Sequence, residues 1–423
     1  MSLLIFCFHR NAAQMSSTSL IFLLTTKSDG DNMIDEILSL TQKHEKWRVK
    51  ECINLIPSEN VTSPAVRSLL ASDFGHRYTS PDRFYFGTHF IDEIEEYGEE
   101  LAKDVFKSET ADLRPLSGHI ANLIFLACFT KPKDTILCVS PTNGGYPGIS
   151  EQALSKFLGL KVVNFPFSKE KMNIKAEETV DLIQKVKPKA VIFGASLFLF
   201  PHPMQEISEA ASEINAVIAY DGSHVLGLIG GKSFQDPLRE GASVMYGSTH
   251  KSLFGPQGGI MLAEKEYGKI IKECVHPSLV DNAHWNRITA LTLSLAEMKA
   301  FGKEYARQVV KNAQALAKTL AEYNFQVACQ NLDCTKSHQV FLDYGGRMRG
   351  RQIAKKLEKA NIIADCEVRL GVCEVTRKGM KEEEMRKIAD LIKRVIVGKE
   401  EVHLVKREVV KFASEFQEIK FTF

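Results

Sequence analysis

The sequence predicts an α/β chain: a mainly parallel, seven-stranded-type sheet in a large domain, then a smaller C-terminal α+β domain. Two observations carry this. From about residue 90, short continuous apolar runs alternate with stretches of helical length. That is the pattern of parallel strands buried on both faces by helices. After residue 285 the pattern changes to one long run rich in Ala, Leu, Lys and Glu, and then to a shorter alternation. Composition agrees, since 423 residues that are 44% hydrophobic and 25% charged hold enough apolar material for two domains.

The elements follow in order. Residues 1–32 contain two apolar bursts, 3–8 and 20–24, each far short of the roughly 20 residues a membrane span needs. The first burst lacks a basic flank and the second lacks a small-residue cleavage pattern. The amphipathic pattern starts after Met33, so 1–32 is expected to be a disordered or spurious extension. Residues 33–285 then form an N-terminal segment and the large domain, and 286–423 a connecting helix and the small domain. Within the large domain, 90–106 reads as an acidic helix and 120–129 as an apolar helix opened by Ser117-Gly118. Strands are expected at 134–140, 161–165, 190–194, 216–220 and 243–246, with a further apolar run at 259–262, and helices at 148–158, 176–186 and 204–214. Lys187-Pro188 ends the helix at 176–186. Beyond lie a long helix over 286–323, strands at 339–343 and 368–371, and helices at 350–360 and 382–395.

The bulk charge excludes some partners. With 54 basic and 52 acidic residues the net charge is +2, and no block of like charge stands out. Nothing suggests nucleic acid or an anionic membrane surface. The nine cysteines are scattered without metal-ligand spacing, which fits reduced thiols in a cytoplasmic protein and no bound metal.

In a parallel sheet of this kind ligands sit beyond the carboxyl ends of the strands. The polar residues expected there are Ser196 after VIFGA, Asp221-Gly222-Ser223-His224 after AVIAY, and Ser248-Thr249-His250-Lys251 after SVMYG. Ser117-Gly118 opens a helix whose free N–H groups suit a phosphate. Each feature alone has a plainer reading: a helix cap, a turn aspartate, a structural histidine. Together and in that order they make the set that pyridoxal phosphate needs. A lysine bonds the aldehyde, a carboxylate pairs with the pyridinium nitrogen, and a helix start seats the phosphate.

Six stretches then give the chain a family likeness: 54–64 (NLIPSENVTSP), 84–95 (FYFGTHFIDEIE), 115–122 (PLSGHIAN), 220–231 (YDGSHVLGLIGG), 247–259 (GSTHKSLFGPQGG) and 368–379 (VRLGVCEVTRKG). The sequence resembles serine (glycine) hydroxymethyltransferases over about 45–395, a pyridoxal-phosphate family of the aspartate-aminotransferase fold type. The resemblance implies that Lys251 is the Schiff-base lysine and Asp221 the pyridinium partner. It implies that Ser196 and His224 contact the ring, Ser117 and Gly118 the phosphate, and that His250 lies beside the lysine. Ser58 and Arg369 would hold the carboxylate of an amino-acid substrate. Tyr85 would lie in the substrate mouth near the partner subunit's cofactor, in a homodimer. For Arg369 the plainer alternative is an ion pair with Glu367 or Glu374.

The chain departs from that family on the side of the pterin carrier. Where a glutamate is expected two residues after Tyr78 stands Ser80, and the nearest acid is Asp82. A ring-stacking histidine is expected ahead of a Gly-Gly pair, but the run is Asn143-Gly144-Gly145-Tyr146, which leaves Tyr146 as the aromatic. A glycine-rich loop that crosses the dimer is replaced by residues 279–285, and the loop before Arg369 shrinks to residues 363–367. Three activities stay open: hydroxymethyl transfer between serine and glycine with tetrahydrofolate or a modified pterin, a folate-independent β-hydroxy-amino-acid aldolase, racemase or aminotransferase, and a non-catalytic dimer. Lys251 and Asp221 argue against the last.

Overall fold

The computed structural model describes residues 31–80, 84–398 and 400–423. Its central sheet has seven strands: β1 (Thr110–Asp112), β2 (Thr135–Cys138), β3 (Lys161–Asn164), β4 (Ala190–Phe193), β5 (Val217–Asp221), β6 (Val244–Ser248) and β7 (Gly259–Ala263). Their spatial order is β1-β7-β6-β5-β4-β2-β3. Only β7 runs against its neighbours, and the pairs from β6 across to β3 are parallel. Strands β4, β6 and β7 are buried at every residue. Burial on both faces explains why they read as unbroken apolar runs rather than as alternating ones.

The register aligns three strand ends. Phe193 sits opposite Tyr220 and Asp221 opposite Tyr246. The loops after β4, β5 and β6 therefore leave the sheet side by side. Gly194 makes the turn after β4 at φ +111°, where a Cβ would fall 2.3 Å from the Asp221 carbonyl oxygen. Glycine is needed there for both conformation and space.

The helix expected at 148–158 is mostly absent. A short turn at Pro147–Ile149 and a four-residue helix at Leu154–Phe157 take its place. The Tyr146 ring lies over Gly148, 2.3 Å from where a Cβ would be, and the Ser155 hydroxyl donates to the Ile149 carbonyl at 2.6 Å. These contacts hold an irregular segment that its composition alone does not reveal.

The long helix Trp285–Glu322 has 38 residues, about 57 Å at 1.5 Å per residue. It contributes Glu297 to a fully buried ion pair with Arg377 at 2.5 Å. The Arg377 guanidinium also lies 4.0 Å from the centre of the Phe254 ring and donates to the Lys420 carbonyl. Long helix, chain end and the loop after β6 are thereby fastened together. Strand β8 (Ile53–Asn54) pairs in parallel with Ile362–Ile363, and the Gly371 N–H donates to the Leu55 carbonyl at 2.7 Å. The segment carrying Ser58 thus runs beside the strand Arg369–Gly371. No described helix is long and apolar enough to cross a membrane, and no metal-ligating cluster occurs among the described residues.

Candidate active site

Gly118, Asn122, Tyr146, Ser196, Asp221, Ser223, His224, Ser248 and Lys251 line one cavity at the carboxyl ends of β4, β5 and β6. Seven of these are expected there from the sequence: Gly118, Ser196, Asp221, Ser223, His224, Ser248 and Lys251.

Lys251 follows β6 in a loop whose backbone is tied down on several sides. The Thr249 N–H donates to the Gly258 carbonyl, and the Asn60 amide donates to the Lys251 carbonyl at 2.8 Å. The Ser252 hydroxyl accepts from the Gly227 N–H at 3.0 Å. One side of Lys251 faces the cavity and the rest is enclosed by protein. Burial is the main cause that pulls its pKa down from 10.5 to about 8, opposed by the charge of Asp221 and aided by that of Arg369. A lysine in this state supplies the free amine that bonds an aldehyde. The preceding His250 is half-buried, its Nδ1 has no partner, and burial lowers its pKa to about 4.

Asp221 ends β5 and is buried. One carboxylate oxygen accepts from the Ser223 N–H and the other from the Asn122 amide, both at 3.0 Å. Asn122 is in turn oriented by the Tyr246 hydroxyl, which donates to its carbonyl oxygen at 3.0 Å. Asn122 lies one helical turn after Gly118, on the same face of the helix Gly118–Phe129. A lone amide in the apolar run IANLIFLACF was its sequence signal.

At the start of that helix a Cβ on Gly118 would lie 2.2 Å from the Ser248 hydroxyl and 3.2 Å from that of Ser223. Two hydroxyls and a helix N-terminus therefore close on one point, which suits a phosphate. The Ser117 hydroxyl is engaged as the helix cap, accepting from the Ile120 N–H at 3.1 Å. Tyr146, not Asn143, faces the cavity, with its hydroxyl 3.0 Å from His119 Nδ1. The Gly144 carbonyl accepts from the Ser196 and Leu197 N–H groups, which holds this turn against the end of β4. Burial and the charge of Asp221 raise the Tyr146 phenol above its ordinary pKa.

Arg369 is ion-paired, but neither expected acid is its principal partner. Its Nε donates to Asp365 at 2.9 Å, and Glu367 approaches at 3.6 Å. Glu374 is instead paired with Lys378 at 2.9 Å. Asp365 stands four residues back, across the turn before the strand, and also accepts from the Arg369 N–H. Ser58 is not among the residues lining the cavity. Tyr85 is exposed and packs at a tilt against Tyr78, with ring centres 5.4 Å apart. Ser80 lines a separate pocket with Glu95, Arg114 and Trp285, and Asp82 lies outside the described residues.

The residues present fit one group. A desolvated lysine, a carboxylate locked by two donors, and a helix start flanked by two hydroxyls share one small cavity at the carboxyl ends of the central strands. Fold and site together define a pyridoxal-phosphate enzyme. The serine hydroxymethyltransferase family model matches residues 29–392. The serine hydroxymethyltransferase of Methanocaldococcus jannaschii is 44% identical over 409 residues, covering 92% of this chain and 95% of that protein. That of Pyrococcus furiosus is 40% identical over 413 residues, covering 92% and 96%. Among solved structures, an L-threonine transaldolase from Pseudomonas fluorescens shares the fold with a TM-score of 0.86 at 24% identity, covering 93% of this chain and 94% of that one. The chain belongs to the serine hydroxymethyltransferase family and is a pyridoxal-phosphate-dependent transferase.

Proposed function

We propose that the protein interconverts L-serine and glycine, passing the hydroxymethyl carbon to a reduced pterin carrier. The observation that carries this is the placement of Lys251, Asp221 and the Gly118–Ser248 cradle in one cavity, in a chain whose relatives bear that name. Bound there, pyridoxal phosphate supplies an electron sink that weakens the bonds at the amino acid's Cα. The chain's own residues do the rest. Asp221 holds a proton on the cofactor's ring nitrogen, and Asn122 and Ser223 keep that carboxylate aimed. The Gly118 N–H and the Ser223 and Ser248 hydroxyls hold the phosphate, and Lys251 anchors the aldehyde carbon. Arg369, already facing Asp365, turns its free guanidinium edge to the substrate carboxylate, with Ser58 beside it. The bidentate match between guanidinium and carboxylate favours that use.

The active unit is a homodimer. Among the described residues the cavity of a single chain presents no carboxylate besides Asp221, so any carboxylate that acts on the substrate's β-hydroxyl comes from outside that cavity. The segment expected to cross carries water-facing aromatics, with Phe84 73% and Phe86 98% exposed, and Phe90 and Tyr97 exposed on the next helix. An apolar surface of this kind is what a second copy covers. Sedimentation of a fully active monomer would contradict this.

The test is glycine release from L-serine by the cofactor-loaded protein, with and without tetrahydrofolate or a modified pterin. Saturable stimulation by a reduced pterin, with serine preferred, supports the proposal. The second reading is folate-independent cleavage of β-hydroxy amino acids, favoured by Ser80 standing where the family has a glutamate. Release from a β-phenyl analogue that ignores every pterin supports that reading instead.

A further inference from the structure

Gln339 begins the strand Gln339–Phe341 and is 0% exposed. Its amide is oriented by two backbone groups whose roles are fixed. The Phe198 N–H can only donate, and it lies 2.9 Å from Gln339 Oε1. The Ser196 carbonyl can only accept, and it lies 3.0 Å from Gln339 Nε2. Turning the amide over would set two oxygens against each other and leave the Phe198 N–H without a partner, so one orientation is selected. The second Nε2 hydrogen then points at His224 Nδ1, 3.0 Å away. An imidazole nitrogen that accepts this bond carries no proton. His338 Nε2 also comes within 3.5 Å of Gln339 Nε2, but it donates to the Pro57 carbonyl at 3.1 Å, so these are two donors and not a bonded pair.

The same Ser196 carbonyl accepts a second hydrogen bond, from Arg369 Nη1 at 2.9 Å. One buried amide therefore touches the histidine that faces the cofactor cavity and the carbonyl that braces the arginine assigned to the substrate carboxylate. Burial and the positive charges of Lys251, His338, Arg369 and His250 disfavour a second proton on His224. Asp221, the acid in the same cavity, has its two oxygens engaged by the Ser223 N–H and the Asn122 amide.

We propose that Gln339 is a positioning residue: it fixes His224 as the neutral tautomer protonated at Nε2 and, through the Ser196 carbonyl, holds Arg369 in place. This rests on the cofactor site described above. A cavity-facing Nε2–H can donate to a ring substituent, whereas the other tautomer would present a lone pair there. Lost alignment of Arg369 weakens amino-acid binding without touching the lysine.

Long-range nitrogen–proton spectra of the cofactor-free protein, labelled with 15N-histidine, read the tautomer directly. A His224→Gln variant assigns the signal. The wild type is expected to show His224 protonated at Nε2. Gln339→Glu, whose carboxylate oxygens can only accept, moves the proton to Nδ1, and Gln339→Leu gives a mixture. Both variants keep covalent pyridoxal phosphate on Lys251. Gln339→Leu raises KM for the amino acid about tenfold while kcat falls less, as expected for loss of a hydrogen bond worth about 1.4 kcal/mol. A wild-type His224 protonated at Nδ1 overturns the proposal, even where no variant folds. So does an unchanged His224 signal in folded Gln339→Glu. Failure of the wild type to take up pyridoxal phosphate would instead overturn the cofactor assignment.

Discussion

Replacing Lys251 by methionine in the cofactor-free protein is expected to make it more stable. Burial holds the folded lysine at about pKa 8, against 10.5 when exposed. Below pH 8 both the folded and the unfolded chain carry the proton, and the folded state bears the full penalty of an enclosed ammonium. The gap between 10.5 and about 8 corresponds to about 3 kcal/mol. This is an upper figure, because the cavity wets one side of the side chain. Between pH 8 and 10.5 the unfolded chain binds more protons than the folded one, so the wild type gains stability as pH rises. The advantage of Lys251→Met should therefore be largest at pH 7, up to about 3 kcal/mol, and fall below about 1 kcal/mol by pH 10. Urea unfolding of both cofactor-free proteins at pH 7 and pH 10 measures it. A variant no more stable than wild type at pH 7, or an advantage that grows with pH, would refute the reasoning. Confirmation would show a site that holds a reactive amine at a cost in stability.

Asp221→Asn should retain covalent cofactor but slow turnover. An ion pair at contact in a site of effective dielectric about 20 is worth on the order of 4 kcal/mol, a ceiling of about three decades in kcat. Near-normal kcat would mean that another group carries the role. Gly118→Ala sets a methyl 2.2 Å from the Ser248 hydroxyl and 2.9 Å from its backbone nitrogen. Overpacking of about 1–3 kcal/mol should appear as weaker cofactor binding, by about 5- to 150-fold, and unchanged affinity by equilibrium titration would count against the phosphate cradle. Glu297→Ala leaves Arg377 buried without its acid and should destabilise the protein by about 3–5 kcal/mol. A loss below about 1 kcal/mol in urea unfolding would show that the Lys420 carbonyl and the Phe254 ring suffice to hold the guanidinium.

The sheet and the cofactor side of the site were legible because they rest on local signals. Strands β4 to β7 are unbroken apolar runs, and Asp221 and Lys251 stand where two of those runs stop. Short or irregular pieces were not legible. Strand β1 has three residues, one of them charged, and residues 147–157 are shaped by the Tyr146 ring over Gly148 rather than by their own pattern. Of the two acids named for Arg369, Glu367 does approach it, but the principal partner Asp365 was missed because the turn that brings it back is set by the fold. Gln339 gave no signal at all. A polar residue opening a short strand is ordinary, and its contacts to Ser196 and His224 span more than a hundred residues. The resemblance to the family added what local pattern could not, namely the substrate-side roles it implies for Ser58, Tyr85 and Arg369.

Covalent capture of pyridoxal phosphate at Lys251 is the claim most directly open to measurement. The purified protein, loaded with the cofactor and reduced with borohydride, should lose its visible absorbance and gain one pyridoxyl group. Peptide mapping should place that group on Lys251 alone. A reduced adduct on any other lysine, or no adduct despite a folded protein and excess cofactor, would contradict the assignment of the site.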